Sequence, residues 1–368
     1  MTLRTTLCDK LGIEHPIVQA PMAGFSTPEL VAAVSNAGGL GSLGSAMLAP
    51  DELRRQGLRV RQMTGRPWAL NFFVHKPPTP DPQRIEALRA RLKPYYAELG
   101  LGEVPEPPAP PPPFNADTLA VALELAPPIV SFHFGLPAPE LLEPVRDAGI
   151  TILASATTVS EAQALDGAGV DAIVAQGFEA GGHQGALDPD VFADPIGTLA
   201  LVPQVVDAVA VPVIAAGGIM DGRGVAAVLC LGAQAAQLGT AFMGCPECQV
   251  SDLHRQALLA KDGRATVLTR AFSGRPARSL VNRLAREMAD AGVTDFPVPR
   301  GVVSPLTKAA VAQGSAEFSP LWAGQGYGLM RKLPAAELID VLRRECVAAL
   351  QLRPDPEPIQ HPIPSVQP

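Results

Sequence analysis

Residues 211–240 read VPVIAAGGIMDGRGVAAVLCLGAQAAQLGT. The stretch opens on an apolar run, turns at the pair Gly217 and Gly218, continues through a helical pattern over 221–231, and closes on Gln237, Leu238, Gly239 and Thr240. A short apolar run, a turn of small residues and a helical period, repeated in that order, describe the βα units of a parallel sheet. Six more strands are predicted upstream at 16–22, 39–44, 68–74, 129–135, 151–156 and 172–177, which with 211–216 and 235–240 makes eight. Amphipathic segments at 28–36, 137–148, 159–168 and 221–231 lie between them, several followed by the glycine that helix ends prefer. Eight alternating units predict an α/β fold, a (β/α)8 TIM barrel. An open doubly wound sheet would carry its phosphate fingerprint after the first strand; here the glycine turns follow the seventh and eighth, where barrels commonly bind phosphate.

Two stretches break this rhythm. An insertion at about 76–128 contains PEPPAPPPP at 105–113, and proline fixes φ and removes N–H donors, so this run is expected to be an extended surface strap. Residues 251–325, with a helical pattern over 279–291, are expected to form a small, mainly helical domain on the substrate side of a barrel that spans 1–250. Residues 326–352 then return to the barrel as a C-terminal helix, and 353–368 form a proline-rich tail.

Composition excludes several functions. The 368 residues are 47% hydrophobic and 18% charged, with a net charge of −7, which argues against a nucleic-acid or anionic-membrane surface because phosphates are met by basic stripes. No apolar run approaches a membrane span and the first ten residues hold no signal-peptide core, so the cytoplasm is the expected compartment. Five cysteines, two of them the CxxC pair Cys245 and Cys248, make neither a disulfide framework nor a metal site; no metal is expected.

The chemistry concentrates after the sixth strand in AQGFEAGGHQG, residues 175–185. Its glycines allow backbone to approach a flat ligand at the barrel mouth while His183, whose charge changes most readily near neutral pH, projects toward it.

These segments carry a resemblance. QAPM at 19–22, NFFVHKP at 71–77, SFHFG at 131–135, the AQGFEAGGHQG loop, the two phosphate turns and WAGQG at 322–326 are together similar to bacterial class I nitronate monooxygenases, formerly 2-nitropropane dioxygenases. The resemblance implies FMN-dependent oxidation of alkyl nitronates, such as propionate 3-nitronate, by O2 through a flavin semiquinone to a carbonyl compound plus nitrite or nitrate, serving detoxification. Partners would be the small nitronate and O2, with the chain a monomer or homodimer.

Carried over residue by residue, the resemblance gives His183 the catalytic role, as a base toward neutral nitroalkanes or as an imidazolium holding a nitronate. Gly217, Gly218, Gln237, Leu238, Gly239 and Thr240 would hold the FMN phosphate, and Gly181 would let its loop approach the same group. Ala20, Pro21 and Met22 would lie against one edge of the flavin, with Asn71 and Gln176 hydrogen-bonding the ring or ribityl chain. Ser131, His133 and Lys308 would face the substrate. Where the family pattern has tyrosines upstream of this lysine, the chain has Arg300 and Ser304, and the strap replaces another aromatic-bearing segment. An FMN-dependent NADH:quinone or enoyl-thioester reductase shares the histidine loop and phosphate glycines and is the alternative; a non-catalytic flavin-binding protein is a third reading.

Overall fold

The computed structural model describes residues 3–79, 81–188, 195–260, 262–290 and 294–351. Eight parallel strands form the barrel: β1 (Ile17–Gln19), β2 (Gly41–Gly44), β3 (Trp68–Phe73), β4 (Ile129–His133), β5 (Thr151–Ala156), β6 (Ala172–Gln176), β8 (Val213–Ala216) and β9 (Ala235–Leu238). Their hydrogen-bonded order is β1-β9-β8-β6-β5-β4-β3-β2, and a parallel bridge between Val18 and Leu40 joins the two ends into a closed (β/α)8 TIM barrel. All eight predicted strands are present, and the structural strands are mostly shorter because the last predicted residues of several turn into the loops of the mouth.

Helices α1 (Thr6–Leu11), α2 (Pro28–Asn36), α3 (Pro50–Met63), α4 (Pro82–Glu98), α5 (Ala116–Leu125), α6 (Pro139–Asp147), α7 (Val159–Gly167), α8 (Thr198–Ala208) and α9 (Gly222–Cys230) follow the chain around the barrel. Several start where a short polar side chain takes up an orphan N–H: Thr27 on Leu30, Thr158 on Glu161, Asp221 on Gly224. The core is apolar on both faces of the sheet, one layer around Val18, Leu153, Val174 and Ile214 inside the barrel and one under the helices around Leu70, Phe72, Val130 and Phe132. None of the described helices is long and apolar enough to cross a membrane.

After the barrel come α10 (Asp252–Leu259), β10 (Thr266–Thr269), β11 (Ala277–Leu280), α11 (Arg283–Glu287), α12 (Val298–Ala312) and α13 (Ala335–Leu350). The helix expected over 279–291 is corrected here. Residues 277–280 form β11, paired antiparallel with β10 on one side and on the other with β7 (Gly182–His183), a two-residue strand in the loop after β6. Pairing on both edges overrides the weak local helical pattern, and Asn282, whose side chain accepts from the Ala285 N–H, starts the short α11 only beyond it. The last helix, α13, packs on α9 and α2. The tail at 353–368 lies outside the described residues.

The insertion is more ordered than an extended strap. α4 buries Leu88, Leu92, Tyr95 and Tyr96 in one apolar cluster with Val302, Val303 and Leu306 of α12, and the Tyr96 hydroxyl donates to the Val302 carbonyl at 2.7 Å. The proline run at 105–113 forms neither helix nor strand and lies between two buried anchors, Val104 and Phe114; the Phe114 N–H donates to the Phe73 carbonyl at 3.0 Å. The strap passes against α12, where a Cβ on Gly301 would come within 2.6 Å of Pro108.

Candidate active site

The C-terminal ends of the barrel strands meet the β10–β11 ribbon at the loop that follows β6. This loop is pinned in two ways. Its β7 residues pair with β11, His183 opposite Ala277 and Gly182 opposite Arg278. From the barrel side, Gln176 at the end of β6 accepts from the Gly185 N–H at 2.6 Å and donates its amide to the His183 carbonyl at 3.2 Å. His133, from β4, lies 3.3 Å from the same carbonyl through Nε2 and 3.0 Å from Ser155 Oγ through Nδ1. Buried polar side chains that find partners this way fix a loop without charge.

The His183 ring therefore has one orientation. Its Nε2 lies 2.9 Å from the Ser273 hydroxyl, in the turn between β10 and β11. The rings of Phe296, Trp322, Phe134 and Phe73 stand 5.3, 5.4, 6.0 and 6.1 Å from it. Phe134 takes a left-handed backbone angle, φ 74°, rare for a bulky side chain, and its ring carries the Arg275 guanidinium 3.8 Å above its centre. Behind Trp322, the buried His254 lies 3.1 Å from the Trp322 carbonyl through Nε2.

This enclosure sets the protonation state. Burial first, then the positive neighbourhood of His133, Arg275, Arg300 and His75, pushes the His183 imidazole down to about 3. His133 is pushed down to about 4, chiefly by burial. Both rings therefore favour the uncharged form. The fixed positive charges around His183 are arginines.

A second cluster lies where β8 and β9 end. Gly217 and Gly218 turn the chain with φ of 122° and 68°, a path that side chains with a Cβ rarely take. Ala20 donates its N–H to the Leu238 carbonyl at 2.8 Å, and Gly239 sits against the Ala20 methyl, so the first and last strands close side by side. The segment 322–326 threads between these turns: the Thr240 hydroxyl accepts the Gly324 N–H at 3.0 Å, Glu179 accepts the Gln325 N–H at 2.9 Å, and a Cβ on Gly326 would lie 2.6 Å from the Gly218 carbonyl. The glycine turns leave the backbone bare, and the Thr240 hydroxyl, which accepts from Gly324, keeps its own proton to donate, a neutral set that fits a nucleotide phosphate.

The sequence-derived residues sort into three groups. Ala20, Pro21, Met22, Gly181, Gly217, Gly218, Gln237 and Gly239 keep accessible surface at this end of the barrel, with His183 and His133. Asn71 and Ser131 are buried and satisfy one another, the Asn71 amide donating to Ser131 Oγ at 2.9 Å; Gln176 is committed to the histidine loop, and Leu238 packs its side chain into the core. At Gly181 the space a Cβ would fill is taken by Gly324 N at 2.5 Å, so this glycine also admits the 322–326 segment. Lys308 is exposed on α12, two helical turns beyond Arg300. Ser273, Arg275, Phe296 and His254 were not found from sequence, because they reach the site through ribbon pairing and packing that no local motif announces.

A model of the family described as nitronate monooxygenase matches residues 4–345. The chain belongs to the nitronate monooxygenase family. Within the nitronate monooxygenases it is similar to that of Paraburkholderia phytofirmans, with 46% identity over 363 residues covering 95% of this chain and 97% of that one. It is also similar to that of Pseudomonas aeruginosa, with 45% identity over 348 residues covering 91% and 97%. Among solved structures, a nitroalkane oxidase from Streptomyces ansochromogenes superposes with a TM-score of 0.86 at 43% identity, covering 94% of this chain and 99% of that one. FabK from Thermotoga maritima superposes with a TM-score of 0.73 at 32% identity, covering 95% and 98%. As a nitronate monooxygenase family member, the chain is an oxidoreductase.

Proposed function

We propose that the protein binds FMN and uses O2 to oxidise alkyl nitronates of the propionate 3-nitronate type to a carbonyl compound plus nitrite or nitrate, with His183 meeting the nitronate. The observation that carries this reading is the setting of His183: a neutral imidazole, tethered by Ser273, walled by four aromatic rings and flanked by arginines at the mouth of the barrel.

Gly217, Gly218, Gly239 and Thr240 would hold the phosphate, and Ala20, Pro21 and Met22 would border the ring. Bound FMN would supply the electron acceptor that links nitronate to O2. Asn71 would face it through its amide oxygen, since its amide hydrogens go to Ser131. Gln176 would act by holding the histidine loop rather than by touching the cofactor.

The chain's own contribution is positioning and charge. A nitronate brings a full negative charge, and the Arg275 guanidinium, over the Phe134 ring that flanks His183, would provide opposite charge without the imidazole having to take up a proton. Neutral His183 can then donate one N–H to a nitronate oxygen or accept an α-proton from a neutral nitroalkane. A substrate that arrives already deprotonated needs only the first. Phe73, Phe134, Phe296 and Trp322 exclude water around it and strengthen these interactions.

O2 consumption by the holoenzyme tests the proposal. Uptake with propionate 3-nitronate, with a carbonyl product and nitrite or nitrate in step, is the expected result. The likeness to FabK favours the second reading, a nicotinamide-dependent reductase; NADH oxidation with no response to nitronate would establish it in place of the first.

A further inference from the structure

We propose that Arg300 sets substrate specificity by binding the remote carboxylate of an acidic nitronate while the nitronate end meets His183; this rests on the proposed nitronate chemistry.

Arg300 is the third residue of α12, yet its side chain does not stay on that helix. Its Nη1 lies 3.0 Å from Sδ of Met47, in the loop after β2, so the guanidinium reaches from the added domain to the barrel mouth. Four residues earlier, the Phe296 ring packs on His183 with 5.3 Å between ring centres, so α12 starts at the edge of that histidine's cleft. The guanidinium thus borders the cleft that holds His183.

The chemistry around it suits an anion. A thioether is a weak acceptor, so the contact with Met47 leaves most of the donor capacity of the guanidinium unused. The first turn of α12 contains no acidic residue. Asp295, the nearest carboxylate along the chain, accepts the Thr79 N–H at 3.2 Å. Arg300 keeps accessible surface, but protein crowds it on other sides, and this burial alone lowers its pKa with no carboxylate acting to raise it. A carboxylate entering from the cleft would replace a weak contact by a charge-assisted, two-pronged one. A nitronate without a second charge would gain nothing there.

Two other features follow. The proline strap holds the start of α12, since Pro108 packs against Gly301, next to the arginine. Lys308, the cation that the resemblance points to, stands eight residues further on, about 12 Å along the helix axis.

The test is anaerobic binding of 3-nitropropionate and of 1-nitropropane to the FMN holoenzyme, read from the flavin visible spectrum. Wild type is expected to prefer 3-nitropropionate. Arg300→Met, which keeps the side-chain bulk beside Met47, should weaken that ligand roughly tenfold to a hundredfold, leaving 1-nitropropane binding and FMN content unchanged. Arg300→Lys should restore part of the loss, and Lys308→Ala should keep the preference. The assignment is overturned if Arg300→Met retains the preference for the carboxylate or if Lys308→Ala abolishes it. A wild type that shows Arg300-dependent carboxylate binding but oxidises no nitronate would leave the anion subsite standing and refute the proposed reaction.

Discussion

The Ser273 hydroxyl stands 2.9 Å from Nε2 of His183, tying a turn of the added ribbon to the loop after barrel strand β6. The ribbon therefore does more than cover the barrel: it sets the angle at which the imidazole meets the cleft. Ser273→Ala removes that tether and leaves the β7–β11 pairing in place. The expected outcome is a fall in kcat/KM for a nitronate of about tenfold, with little change in thermal midpoint. His183→Asn should cost far more, about a hundredfold or above. Equal losses in the two variants would mean that Ser273 has a role of its own in the chemistry.

Acid should unfold this protein through its histidines. Burial pushes His75, His133 and His254 down to about 4 and His183 to about 3. Imidazoles in the unfolded chain titrate near 6.5, so between about pH 6.5 and 4 the unfolded state takes up protons that the folded state refuses. Stability is full above that window and falls as the pH drops through it, each histidine contributing up to about 2 kcal/mol at pH 5. Urea midpoints at pH 7.5 and 5.0 should differ by that sign. In the same range kcat/KM for a nitronate should show no break from protonation of His183 in the free enzyme.

Gly181 makes room for the chain segment that lines the phosphate turns. Its missing Cβ would meet Gly324 N at 2.5 Å, and Gly324 in turn donates to the Thr240 hydroxyl. Gly181→Ala must push this backbone aside. We expect weaker flavin retention, of about tenfold or more, measured as free FMN after ultrafiltration, because the displaced bond ends on a residue assigned to the phosphate.

Replacing residues 105–113 by a flexible linker of equal length, with Val104 and Phe114 kept, should raise KM for an acidic nitronate and spare flavin content. The strap touches α12 at Gly301 and nothing places it near the phosphate turns. Loss of FMN with unchanged KM would make the strap a support of the barrel instead.

The barrel was legible in the sequence because each βα unit is local. Apolar runs such as 151–156 and 172–177 become strands in place, and the polar caps Thr27, Thr158 and Asp221 mark where helices begin. The histidine loop was legible for the same reason, its glycines standing around His183. The partners of that histidine were not. Ser273 and Arg275 belong to a turn whose position depends on β11 pairing with β7 across nearly a hundred residues of chain, and neither has a motif around it. The charge state of His183 was equally hidden, since a ring with an ordinary pKa near 6.5 is neutralised by burial and by arginines that only the fold assembles. The start of the 279–291 pattern shows the reverse error: residues 279 and 280 join a strand whose edges are both paired, and the helix begins only at Arg283.

The most direct test of the central claim is anaerobic mixing of the purified flavoprotein with propionate 3-nitronate in one cell and NADH in another, while the visible flavin spectrum is recorded. A one-electron change in the spectrum with the nitronate, and none with NADH, is the expected result. Full bleaching by NADH with no response to the nitronate would contradict it.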